Sequence, residues 1–140
     1  MAVTGRAWLD REWSSQPLTA DQTGWDWVSL NFEDGAKLMG YRLRDKDGGA
    51  YTVGTWIHGD GRTEPLANGA LSMTAAGTAE VAGRSVPVIW DIALPEKNLT
   101  IRAAARYPQS WMGTRIPYWE GPVQVTGSHK GEGYLEMSGY

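Results

Sequence analysis

Along most of this chain apolar and polar residues alternate one for one, and glycine-rich clusters interrupt the alternation roughly every ten residues. A period of two places successive side chains on opposite faces of an extended strand. The pattern therefore predicts strands joined by hairpins. Residues 5–13, "GRAWLDREW", form the first expected strand. Residues 25–32 form the second, with Val28, Leu30 and Phe32 on one face, and "EDG" at 33–35 turns the chain. Residues 36–44 form the third, with Met39, Tyr41 and Leu43 sharing a face, and "DKDGG" at 45–49 turns it again. Residues 50–57 form the fourth, closed by "HGDGR". An Ala-rich fifth strand is expected at 66–76. The sixth, 87–94, aligns Val88, Trp90, Ile92 and Leu94, and "PEKN" at 95–98 follows as a turn. The seventh, 99–107, aligns Leu99, Ile101, Ala103 and Ala105. Residues 118–127 and 133–140 form a last hairpin around "SHKGEG". No segment shows a helical stripe.

Eight to ten antiparallel strands in one short chain must close or stack to avoid bare edges. A sandwich and a closed barrel both satisfy this. Sequential hairpins with short turns favour the up-and-down barrel, which has room for packed side chains or one small ligand.

The length of 140 residues suits a single domain spanning 1–140. There is no apolar run of membrane-spanning length and no charged-then-apolar leader, and "MAVTG" reads as a trimmed start. The net charge of -3 is scattered, with no Lys/Arg block, so nucleic acid is not an expected partner. The absence of cysteine excludes disulfides, thiolate zinc sites and cysteine nucleophiles. Eighteen glycines agree with many turns. Eight tryptophans against one phenylalanine raise a question. An indole is large and carries one N–H that wants a partner. Such residues either fill the barrel or line a ligand cavity.

Three stretches are candidates for chemistry. On a first strand, Trp8, Asp10 and Glu12 would share one face, and Leu9, Arg11 and Trp13 the other, with Leu9 and Trp13 as wall residues. Asp10 and Glu12 would then point together about 7 Å apart. Such a pair suits general acid–base work if burial raises one pKa. Equally, the two would face water or pair with Arg42, Arg44, Arg102 or Arg106 across the sheet. In "GWDW" at 24–27, Asp26 lies in line with Val28, Leu30 and Phe32. A carboxylate there sits at a barrel mouth or is buried with a partner. Arg102, Arg106 or a backbone N–H is the expected partner, with Trp25 and Trp27 on the opposite side. In "YWEGP" at 118–122, Glu120 shares a face with Tyr118 and Pro122, as a strand start or as part of a site. His58 and His129 fall in Gly-rich turns and are not spaced as a metal pair. Ser14 and Ser15 have no nucleophile elbow around them. No P-loop or dinucleotide fingerprint is present, and neither metal nor cofactor is expected.

"AWLDREWSSQPL", "GWDWVSLNFEDGAKLMGYRLR" and "YWEGPVQVTG…GEGYLEMSGY" resemble the carotenoid 1,2-hydratase (hydroxyneurosporene synthase) / AttH-like family, over most of the chain and in order. The resemblance implies a lipocalin-like (calycin-type) β-barrel. It also implies that this barrel is the C-terminal one of two, so that an N-terminal barrel is missing, and that full-length relatives are often exported. Activities in the wider group include adding water to an isoprenoid carbon–carbon double bond. The hydratase branch resembles "D-His-x-Trp" where this chain has Asp10-Arg11-Glu12-Trp13. It also carries an acid in the strand matching "LMGYRLR", where Tyr41 stands between Gly40 and Arg42. Arginine is no base and a poor acid. The expected function is therefore binding of a small apolar or isoprenoid-like ligand, or packing as half of a two-barrel protein. Asp10, Arg11, Trp13, Trp25, Trp27, Tyr41, Trp90, Trp119 and Glu120 are the expected ligand-facing residues. The alternative is a hydratase or lyase-type enzyme with Asp26 or Glu12 as the acid.

Overall fold

The computed structural model describes residues 1–4, 7, 9, 11 and 18–140. Ten strands follow in chain order: β1 Gln22–Phe32, β2 Lys37–Asp45, β3 Ala50–Ile57, β4 Thr63–Leu66, β5 Ser72–Val81, β6 Arg84–Leu94, β7 Leu99–Ala105, β8 Trp111–Met112, β9 Tyr118–Gly127 and β10 Gly131–Ser138. A single 3-10 turn, Pro95–Lys97, joins β6 to β7, and Asn98 ends it in the left-handed region at φ 51. Asparagine tolerates that conformation better than most residues.

All strands pair antiparallel in one curled sheet of order β4-β3-β2-β1-β10-β9-β7-β6-β5, with β8 beside β9. This is the cyclic order of an up-and-down barrel, opened at one seam between β4 and β5. The first strand lies against the last, from Asp26 opposite Met137 to Phe32 opposite Gly131. The fold is the up-and-down architecture the pattern predicts, consistent with the lipocalin-like barrel the resemblance implies. At the seam, β4 is only four residues long and carries Pro65, which has no N–H to donate. Leu71 and Met73 lean across from the start of β5 onto β2. A Cβ placed on Gly40 would sit 2.6 Å from Leu71 Cδ2 and 3.8 Å from Met73 Sδ. Side-chain packing, not a hydrogen-bonded ladder, curls the two edges toward one another.

The inner face is one apolar cluster built from alternate residues of nearly every strand, and Trp56, Trp90 and Trp119 all belong to it. Each such indole removes roughly 200 Å² from water, a gross gain of about 5 kcal/mol before the cost of ordering it.

Two expectations change. The fifth strand lies at 72–81 rather than 66–76, and the unexpected β4 precedes it. The chain turns at Asn68-Gly69, with Gly69 at φ 81. That dipeptide is a turn signal inside the stretch read as strand. The expected first strand falls mostly outside the described residues. Of its members, Ala7, Leu9 and Arg11 are exposed and in no strand, so Leu9, 80% exposed, is no barrel wall. Met39, Tyr41 and Leu43 share a face as expected, and it is the outer face of β2. Tyr41 pairs with Trp27 and Arg42 with Asp26, so Leu38, Gly40, Arg42 and Arg44 take the inner side. Among the described residues no helix is long and apolar enough to cross a membrane.

Candidate functional site

Asp26 is fully buried at one inner end of the barrel. Its Oδ2 accepts from Arg42 Nη1 at 2.8 Å. Its Oδ1 accepts from Arg44 Nη1 and, at 2.8 Å, from the Tyr140 hydroxyl. Arg44 Nη1 also reaches the Tyr140 hydroxyl at 2.9 Å and the Trp25 carbonyl at 3.3 Å, and Arg44 Nη2 donates to the Ser138 carbonyl. The Arg44 guanidinium stacks 4.1 Å from the Tyr140 ring centre. Burial, followed by the neighbouring Asp26 charge, pushes the Tyr140 phenol far above its usual range. Asp26 thus has partners, but Arg42, Arg44 and Tyr140 rather than the expected Arg102 or Arg106. Those two arginines are on the surface, with Asp91 and with Gln124 and Glu132. Both Asp26 oxygens are engaged as acceptors, and the network ties β1, β2 and the end of the chain together.

The outer face of β2, β1, β10 and β9 carries a second constellation. Pairing sets Tyr41 opposite Trp27, Trp27 opposite Glu136, and Glu136 opposite Glu120. Directly opposed residues on one face have Cβ atoms about 5 Å apart, so these four form a row across the sheet. On one side of it lie Leu43 opposite Trp25 and Ser138 opposite Tyr118. On the other lie Met39, Ser29, Tyr134 and Pro122. Most of these side chains are half-buried although they point away from the core, and Trp25 is buried outright. Trp25 Nε1 donates to Glu136 Oε1 at 2.7 Å. Burial raises the Tyr118 phenol above its usual value, and the charges of Glu120 and Glu136 push the same way. A groove of about 1260 Å³ continues this face toward the β1–β2 turn, past Asn31, Lys37, Pro122, Gln124 and Tyr134.

The model of one protein family, described as AttH-like, matches residues 1–140. The chain belongs to the AttH-like family. A crystal structure from Nitrosomonas europaea, of a protein whose AttH designation is provisional, superposes with a TM-score of 0.81 at 28% identity. The match covers 91% of this chain and 42% of that one, so the chain spans less than half the length of that relative. No curated protein matches the sequence.

In this AttH-like chain the sequence-predicted residues separate into groups. Trp25, Trp27, Tyr41 and Glu120 come together on the outer face. Trp90 and Trp119 are fully buried in the inner cluster, and Asp26 closes its end. Arg11 is exposed. Asp10, Glu12 and Trp13 lie outside the described residues. Sequence reasoning missed Glu136 and Tyr140, and it offered Arg42 and Arg44 as partners of Asp10 and Glu12 rather than of Asp26. The alternation of β10 marks which face Glu136 takes, but only the pairing of β10 with β1 sets it beside Trp27.

Proposed function

We propose that this AttH-like domain binds a small apolar or isoprenoid-like ligand on the outer face of β2, β1, β10 and β9. We propose further that a second barrel of a longer protein packs over this face. The observation that carries the reading is the row Tyr41, Trp27, Glu136, Glu120 beside Trp25. Half-buried aromatic walls with a few polar anchors are what recognition of such a ligand needs. The inner side of the sheet is already occupied by Trp56, Trp90 and Trp119. The 42% coverage of the longer relative supports a partner domain.

The test is a fluorescence titration of the chain with an isoprenoid alcohol such as farnesol. We expect quenching with a dissociation constant in the micromolar range or weaker, lost in Trp27→Ala and weakened in Tyr41→Ala. Quenching of the same amplitude and midpoint in both variants would overturn the reading.

A second reading, a hydratase or lyase, has the paired carboxylates Glu120 and Glu136 among aromatics in its favour. Protonating an alkene needs an acid carrying its own proton. Asp26 is poorly suited, since both its oxygens already accept, and Glu12 is the remaining acid of the two first named. A hydroxylated product from neurosporene that disappears in Glu12→Gln would establish this reading over binding alone.

A further inference from the structure

We propose that the inner end of the barrel, at Arg42, is a binding site for a small monocarboxylate, distinct from the outer face. The argument begins with charge. Two guanidiniums, Arg42 and Arg44, share the single carboxylate of Asp26. The Tyr140 phenol contributes no charge, because it stays protonated, and the chain-terminal carboxylate of Tyr140 forms no ion pair with either arginine among the described residues. The cluster carries one uncompensated positive charge, with Asp26 wholly buried and the arginine side chains only 25% and 13% exposed. Sequestered charge is costly unless an opposite charge or water meets it.

The two arginines are not used alike. Arg44 is spent on Asp26, Tyr140 and the carbonyls of Trp25 and Ser138. The Arg42 guanidinium is held, among the described residues, by Asp26 alone. A guanidinium has five N–H donors in a rigid plane. One nitrogen, Nη1, is anchored by Asp26, and the side chain is partly exposed, so donors remain for a ligand. A planar fork matches a carboxylate with two parallel bonds, and anchoring it beforehand lowers the ordering cost of binding.

The surroundings fit the same ligand. Thr52 lies opposite Arg42 on β3. Its N–H donates to Asn68 Oδ1 at 2.9 Å, and its hydroxyl accepts from the Gly69 N–H at 2.8 Å. The β4–β5 connection is thereby tied down beside Arg42, bringing a side-chain amide to the same end of the sheet. An excess of one positive charge matches a monoanion better than a phosphate dianion.

The experiment is a calorimetric titration of the 140-residue chain at low salt and pH 7 with hexanoate, with hexanol and inorganic phosphate as the other arms. We expect hexanoate to bind, hexanol not to bind, and phosphate to bind more weakly than hexanoate. Arg42→Gln should weaken hexanoate at least tenfold, while Arg102→Gln, which removes an exposed arginine paired with Asp91, should leave it unchanged. Should Arg42→Gln fail to fold, Arg42→Lys decides: it keeps the charge on Asp26, loses the fork, and should still weaken hexanoate about tenfold. Absence of hexanoate binding to the unaltered chain would overturn the proposal. So would unchanged affinity in the Arg42 variants, equal binding of hexanol, tighter binding of phosphate, or an equal loss in Arg102→Gln. None of these outcomes bears on farnesol quenching at the outer face.

Discussion

Trp90 and Trp119 are both fully buried indoles, and they differ by one hydrogen bond. Trp119 Nε1 donates to the Pro108 carbonyl at 2.7 Å. Among the described residues, Trp90 Nε1 has no partner. Replacing the first by phenylalanine removes a bond and strands a carbonyl; replacing the second removes an unsatisfied donor. Trp119→Phe should therefore cost about 1–3 kcal/mol, and Trp90→Phe less than about 1 kcal/mol. Urea unfolding midpoints of the two variants check this, and equal losses would contradict it. In the sequence Trp90 aligns with the apolar Val88, Ile92 and Leu94, whereas Trp119 is expected only to face a ligand. The missing partner of Trp90 was not legible, because a donor's partner is fixed by groups distant in sequence. Asp26 shows the same division. Its line with Val28, Leu30 and Phe32 pointed to burial. Its partners depended on whether β2 or β7 became its neighbour, and β2 did.

At the scale of elements, the turn-bounded strands were legible wherever a clean alternation met a glycine cluster: β3 occupies the expected 50–57. The β4–β5 region was not, because "LANGALSMTAAGTAEV" alternates weakly and small residues carry little facial preference. There the seam decides. Gly40 and Gly54 lie opposite one another on β2 and β3; the missing side chain of Gly40 opens the space that Leu71 enters from the far edge, while Gly54 faces Leu66 of β4. Leu71 is only 2% exposed. A Cβ on Gly40 meets the flexible end of Leu71, whereas a branched side chain would also press on Val28, whose Cγ2 lies 3.2 Å from that Cβ. Gly40→Val should destabilise by about 1–3 kcal/mol through overpacking, and a Leu71→Ala background should relieve part of that loss. A thermal-unfolding double-mutant cycle reads the coupling; strict additivity would show that Leu71 does not hold the seam.

At the scale of the molecule, ion pairs and phenols set a pH window. Glu64 on β4 pairs with Lys97 in the β6–β7 turn and with His58. Hydrogen bonding to Lys97, and then to His58, holds its carboxyl below the ordinary 4.5. The folded state thus resists a proton that the unfolded chain accepts. This contribution is present above about pH 4.5 and is lost as pH falls through the lower folded value. On the alkaline side, burial above all keeps Tyr118 and Tyr140 protonated beyond the ordinary 10.0. The unfolded chain releases those protons first, so this contribution is present below about pH 10 and is lost as pH rises. Urea midpoints across the pH range should fall at both ends. Glu64→Gln should flatten the acid limb and Tyr118→Phe the alkaline one. An acid limb unchanged in Glu64→Gln would remove the pair from this account. What the sequence determined by itself was local: strand periods, turn positions and the burial of apolar alternates, because each depends on residues a few positions apart. Only the tertiary structure decided which face of β2 is inner, which arginines meet Asp26 and that Glu120 stands beside Glu136. These depend on the registers of β1 with β2 and of β9 with β10, where a shift of one residue would turn every side chain to the other face.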